Sequence, residues 1–167
     1  YKRQAYGGEV KDVIESVQVL TRQGDFKVYD NQSCDFSYRH SHFQSSEEIV
    51  LSVTFQLKAG DLSEISNEMD RLTDLRTSKQ PLEYPSCGSV FKRPEGYYTG
   101  KLIQDAGLQG YRIGGAEISR KHAGFIVNVD HATATDYLQM IEHIQATIWQ
   151  LNHVQLETEV RIIGEDQ

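Results

Sequence analysis

No stretch of this chain approaches the roughly 20 apolar residues needed to span a bilayer, and Tyr1-Lys2-Arg3-Gln4 has no apolar signal core behind it. The sequence therefore predicts no membrane partner, and a cytoplasmic location is the default expectation. Cysteine is scarce: Cys34 and Cys87 are the only two, far apart and in no paired metal-ligand spacing. Reduced thiols are expected, rather than a disulfide framework or a metal site. Positive charge is in deficit, with 17 Lys and Arg against 24 Asp and Glu and a net charge of -7. A phosphate backbone is bound mainly through clustered cations and the counterions they release, so nonspecific nucleic-acid binding is excluded. The dinucleotide-binding fingerprint and the P-loop are both missing, as are internal repeats and low-complexity runs.

What is present suffices for one sizeable core or two small ones: 167 residues, 38% of them hydrophobic. Val17 to Leu20, a turn at Gln23-Gly24-Asp25, and Phe26 to Tyr29 predict a hairpin. Ile49, Leu51, Val53, Phe55 and Leu57 alternate with mostly polar neighbours, the pattern of a strand with one buried face. From Asp61 the period changes to that of a helix, carried by Leu62, Ile65, Met69, Leu72 and Leu75, with Asp61 and Glu64 resembling a capping box. Thr77 to Pro81 breaks that helix and marks a boundary, and Pro85 and Gly88 predict irregular backbone beyond it. The second half reads as a short helix near 101–106, strands near 111–113 and 125–129, a long helix with Tyr137, Ile141, Ile144, Ile148 and Leu151 on its core stripe, and a last strand over 159–163. The fold class is α+β.

Candidate chemistry concentrates between Lys79 and Lys121, where Lys79, Lys92, Arg93, Lys101, Arg112, Arg120 and Lys121 interrupt an otherwise acidic chain. The same stretch holds three glycine-rich turns and the run Pro85-Ser86-Cys87-Gly88-Ser89-Val90-Phe91. A solvated basic surface accounts for the cations taken alone, and a tight turn accounts for Gly110 to Gly115. His40-Ser41-His42 presents two imidazoles without an evident third ligand, so no metal is predicted. Cys87 lacks an identifiable base partner and is not read as a nucleophile.

Taken together and in order, Ala5-Tyr6-Gly7-Gly8-Glu9, Tyr38-Arg39-His40-Ser41, Ser78-Lys79-Gln80-Pro81, Gly88-Ser89-Val90-Phe91, Gly100-Lys101-Leu102-Ile103, Gly110 to Gly115, Lys121 to Phe125, and Glu159-Val160-Arg161-Ile162-Ile163-Gly164 resemble the UDP-N-acetylenolpyruvoylglucosamine reductase (MurB) family of bacterial peptidoglycan synthesis. The resemblance implies FAD and NADPH as cofactors and UDP-N-acetylglucosamine enolpyruvate as substrate, reduced to UDP-N-acetylmuramate. By position it implies Ser89 as the proton donor, with Arg39 and Glu159 stabilising the enolate-like charge. It also implies Tyr6, Gly7, Gly8 and Arg161 toward the flavin, and Lys79, Lys92 and Arg93 toward the substrate and its diphosphate.

The chemistry gives an independent reason for the trio. Hydride addition to the terminal carbon of an enolpyruvyl group spreads negative charge over the adjacent carbon and the carboxylate, which preorganised donors must meet. Arg39 supplies a planar bidentate donor. Glu159 helps only when it carries or shares a proton, and Ser89 is a poor acid unless its alkoxide is hydrogen-bonded. By the same resemblance, residues 1–77 are the remnant of a second FAD-binding lobe. Residues 78–167 form a substrate domain whose last strand, 158–164, returns to the flavin side. The family's N-terminal FAD-binding segment has no counterpart in the chain, and the short path from Leu57 to Asp61 lacks the tyrosine-bearing insertion of one subgroup. A non-catalytic UDP-sugar-binding fragment and a remnant needing a complementing partner are the alternative readings.

Overall fold

The computed structural model describes residues 8–164. The chain divides into two compact units, residues 1–72 and 73–167.

The first unit is built on a three-stranded antiparallel sheet in the order β2-β1-β3, with β1 at Ile14–Leu20, β2 at Phe26–Asp30 and β3 at Ile49–Phe55. The predicted hairpin is there, with Leu20 opposite Phe26. Its turn closes through the Thr21 amide donating to the Asp25 carbonyl, and Gly24 takes a φ of +87° that a side chain would resist. The core comes from β1, Tyr29 of β2 and the turn that follows it: Ile14, Val17, Val19, Tyr29 and Cys34 are buried together. β3 is a strand as its alternation predicts, but none of its residues is buried. Period-2 patterning fixed its backbone and its pairing with β1 without covering its apolar side chains.

The helix α1 spans Leu62–Lys79 and starts where expected, with Asp61 Oδ1 accepting the amides of Ser63 (2.9 Å) and Glu64 (3.0 Å). Its apolar stripe is also uncovered, Leu62 and Met69 standing well into solvent.

The second unit holds a four-stranded antiparallel sheet in the order β4-β7-β6-β5: β4 Ser86–Ser89, β5 Arg112–Ile113, β6 Ala116–Ile118 and β7 Phe125–Asn128. Two helices complete it, α2 at Thr99–Asp105 and α3 at Ala134–Asn152. The stripe of α3 is buried as predicted at Met140, Ile141, Ile144 and Ile148, packed with Leu102 and Ile103 of α2 and Ile118 and Ile126 of the sheet.

Three sequence expectations are corrected here. Residues 86–89 are a strand, because Pro85 sits just outside it and contributes only its carbonyl, to the Asn128 amide, while Gly88 at a φ of +82° absorbs a bulge. β6 was missed, being only three residues long with a charged residue at its centre. The last strand over 158–164 does not form. Thr158 makes an isolated bridge with Phe91, and the amides of Glu159 and Val160 converge on the single carbonyl of Val90. Two donors on one acceptor end the alternation a ladder needs, so the β-rich composition of 159–163 is not enough to extend it.

Candidate active site

Ser89 ends β4 at the bulge. Ser86 pairs with Val127 and Ser89 with Phe125, so three steps along β4 answer two along β7. The extra residue at Gly88 resets which way the following side chain points, a device common beside functional sites. Ser89 is exposed, while Val90 and Phe91 after it are buried anchors of the core. The segment carrying Glu159 then docks along the same stretch: the Lys92 amide donates to the Glu157 carbonyl (2.8 Å) and the Glu159 amide to the Val90 carbonyl (2.8 Å). The backbone of Glu159 is thereby fixed opposite Val90, the residue after Ser89, and its Oε2 is buried. Segments distant in sequence, those of Ser89 and Glu159, are thereby laid side by side.

The cations have their own partners. Lys92 forms an ion pair with Glu157. Arg93 donates from Nε to the Tyr97 carbonyl (2.9 Å), and its guanidinium lies 3.8 Å from the Tyr98 ring centroid. Each is thus held by a different partner, three and four residues after Ser89. Lys79 closes α1 as an exposed residue.

An open cleft of about 450 Å³ flanks the start of β4, its walls including Cys87, Ile126, Tyr137, Arg161 and Ile162. Sequence periodicity assigned Tyr137 to the core. The residue is half-buried, and its hydroxyl instead faces Cys87; burial first, then that thiol, pushes its ionisation far up, so it stays protonated. Its position at the edge of the α3 stripe was the available signal. Arg161 is exposed along the same cleft.

In the first unit, Arg39 occupies a two-residue turn closed by reciprocal bonds between Ser37 and His40, 3.1 and 3.2 Å. Its φ is +57°, in the left-handed region that side chains avoid. The guanidinium lies 4.9 Å from the Tyr38 ring centroid, and the residue is half-buried. The neighbouring imidazoles separate: His40 Nε2 lies 4.0 Å from an Asp35 oxygen, whereas His42 Nε2 lies 3.0 Å from the Tyr29 hydroxyl. Among the described residues no group of three or more His, Cys, Asp or Glu is placed to hold a metal, and no helix is long and apolar enough to cross a membrane. Gly8 is exposed with open space where a Cβ would lie; Tyr6 and Gly7 fall outside the described residues.

Gly110 to Gly115 is explained by packing. Gly114 and Gly115 form the turn between β5 and β6, and a Cβ on Gly115 would lie 2.0 Å from the Asp130 carbonyl oxygen.

Residues 80–163 match the model of the UDP-N-acetylenolpyruvoylglucosamine reductase C-terminal domain, about half of the chain. The chain belongs to the UDP-N-acetylenolpyruvoylglucosamine reductase family. The similarity extends beyond the matched domain. The reductase of Lactiplantibacillus plantarum is 62% identical over 97% of this chain and 54% of its own length. That of Enterococcus faecalis is 60% identical over 97% of this chain, again 54% of its own length. The crystal structure of the Thermus caldophilus reductase (MurB) is 35% identical, with a TM-score of 0.80 over 96% of this chain and 57% of the other. The chain thus spans about half the length of the curated reductases it matches.

Proposed function

We propose that this chain is the substrate-side part of a cytoplasmic reductase that converts UDP-N-acetylglucosamine enolpyruvate to UDP-N-acetylmuramate for peptidoglycan synthesis. The observation that carries the reading is the docking of the Glu159 segment along the segment that carries Ser89, through the bond from the Glu159 amide to the Val90 carbonyl. A part that only held a UDP-sugar would have no use for a buried carboxyl oxygen on a segment tied to the residue that follows an exposed hydroxyl at a bulge. Arg39 shares its positive φ with Asp35, His131 and His153, so the backbone is compatible with the reading and does not by itself point to it.

The residues fit a flavin in two respects. The cleft beside β4 has apolar walls with the Arg161 cation along it, suited to a flat ring attached to an anionic tail; in the first unit, separately, Gly8 has open space where a side chain would lie. Arg161 and Gly8 are therefore proposed to hold FAD, together with Tyr6 and Gly7 from the family motif. The chemistry that FAD and NADPH supply is delivery of a hydride to the terminal carbon of the enolpyruvyl group.

Everything else falls to the chain's own side chains. Arg39 meets the carboxylate and the charge spreading into it with a fixed pair of donors. Glu159, when it holds a proton on its buried side, donates to the same charge. Ser89 gives its hydroxyl proton to the carbon next to the carboxylate, forming the new C–H bond, and regains a proton from solvent. Lys92, Arg93 and Lys79 hold the diphosphate.

Ser89→Ala in the FAD-loaded holoenzyme tests this directly. Bleaching of the flavin by NADPH should be intact, while reoxidation by the enolpyruvyl substrate slows by about 10²-fold or more, the loss typical of a missing general acid. An unchanged reoxidation rate removes Ser89 from the mechanism. Substrate binding with no turnover even in the unsubstituted holoenzyme would leave only the UDP-sugar-binding alternative.

A further inference from the structure

The loop that carries Arg39 joins β2 to β3, and both of its flanks are tied down. On the incoming side, the Asn31 side-chain amide donates to the carbonyls of Lys11 and Ile14, each at 2.7 Å, and the fully buried Cys34 thiol donates to the Asp30 carbonyl. On the outgoing side lies a network of four ionisable groups that the chemistry above does not use.

Tyr29, in β2 and only 8% exposed, donates its hydroxyl proton to Glu48 Oε1 at 2.8 Å. Lys27 Nζ donates to the same hydroxyl at 2.6 Å and sits 4.2 Å from the Tyr29 ring centroid. His42 Nε2 lies 3.0 Å from the Tyr29 hydroxyl and 3.2 Å from Glu48 Oε2. Glu48 is the one group of the four that only accepts, and the tyrosine has a single proton, which it gives to Glu48. The His42 ring must therefore carry its proton on Nε2. Burial works against the Glu48 carboxylate, but the bonds from Tyr29 and His42 and the charge of Lys27 outweigh it, and its ionisation lies below the usual carboxylate range. Phe43 packs edge-on to Tyr29, centroids 5.5 Å apart, completing the seat.

The network's members satisfy one another, which suits holding rather than binding. What it holds is position 42, three residues beyond Arg39, against the stem of the loop. A left-handed arginine persists only when the surrounding structure over-determines it.

We propose that Lys27, Tyr29, His42 and Glu48 form a polar clamp that sets the position of the Arg39 turn, making Tyr29 and Glu48 positioning residues for the reduction. The inference rests on the role given to Arg39 in the proposed function.

The test uses Tyr29→Phe, which keeps the ring packing and deletes the hydroxyl, and the isosteric Glu48→Gln, each in the FAD-loaded holoenzyme with its thermal midpoint as a control on folding. Each should slow flavin reoxidation by the enolpyruvyl substrate by about tenfold or more, because a misplacement of about 1 Å costs on that order. KM should hold, and flavin reduction by NADPH should stay within about twofold, since Arg39 acts only on charge that develops later. In an Arg39→Lys background Tyr29→Phe should add almost nothing, because both changes remove the same interaction. Equal slowing of both half-reactions, or a loss that multiplies independently with Arg39→Lys, overturns the clamp. Unchanged reoxidation by Arg39→Lys alone instead overturns the role of Arg39, so the two failures are distinct.

Discussion

Gly115 and Gly24 show why one glycine is replaceable and another is not. Gly24 has a φ of +87° but nothing within 4 Å of its absent Cβ, so alanine there costs only the left-handed backbone, about 1 kcal/mol. Gly115 is buried, and the same methyl would lie 2.0 Å from the Asp130 oxygen and 2.4 Å from the Ala132 nitrogen. Both obstacles are backbone, which cannot rotate away as a side chain would. Gly115→Ala should therefore destabilise the chain by about 3 kcal/mol or more, and Gly24→Ala by about a third of that. Urea unfolding of the two variants side by side checks the ranking. Equal losses would mean that the segment 130–132 gives way. Arg39 carries a backbone cost similar to that of Gly24→Ala in the native protein, as do Asp35, His131 and His153.

At the scale of elements, α3 is the best-specified piece of the chain. Thr133 accepts the Asp136 amide at 3.1 Å, and Asp136 returns a bond to the Thr133 amide at 2.9 Å while also accepting the Gly115 amide at 3.3 Å. Thr133→Ala should lower stability by about 1 kcal/mol, seen as a reduced thermal midpoint. The Thr133 amide bond is the chief reason the Asp136 carboxyl ionises below its ordinary value. A depressed native value means the carboxylate stabilises the fold at every pH above its unfolded value, about 3.9. That contribution is lost as pH falls from there through the lower native value. Asp136→Asn should accordingly flatten stability against pH over that acid window and leave the neutral plateau without further pH dependence of its own.

The long helix and the first hairpin were legible because many residues repeat one period. β6 was not, because its signal is three residues around Glu117. That carboxylate is 5% exposed and is buried only through Arg112 and Arg120, one beyond each side of it in sequence. The failed strand at 158–164 had the right composition, but whether it pairs depends on a neighbour's carbonyls, which no local pattern records. Ser89 and Glu159 were legible through family motifs, whereas the clamp around Tyr29 was not. Its members are scattered over β2 and the long loop that leads to β3, and they meet only after folding.

For the whole molecule, the two units differ in how much apolar surface they remove from water. Among the described residues the buried cluster of the second unit runs from Val90 to Leu156 and includes Leu102, Ile103, Ile118 and Ile126 of α2 and the sheet as well as the α3 stripe. That of the first unit is confined to Ile14, Val17, Val19, Tyr29 and Cys34. At about 25 cal/mol per Å² of apolar burial, this difference outweighs any single hydrogen bond or cap in either unit. Local opening should therefore cost least in the first unit. Native-state hydrogen exchange on the chain should find the amides of β2 and β3 exchanging through openings of lower free energy than those of β6, β7 and the centre of α3. β1, flanked on both sides, should be the slowest of its sheet. If β1 to β3 instead shared the protection of α3, the chain would unfold as one cooperative body, and the smaller cluster could not be setting the stability of its own sheet.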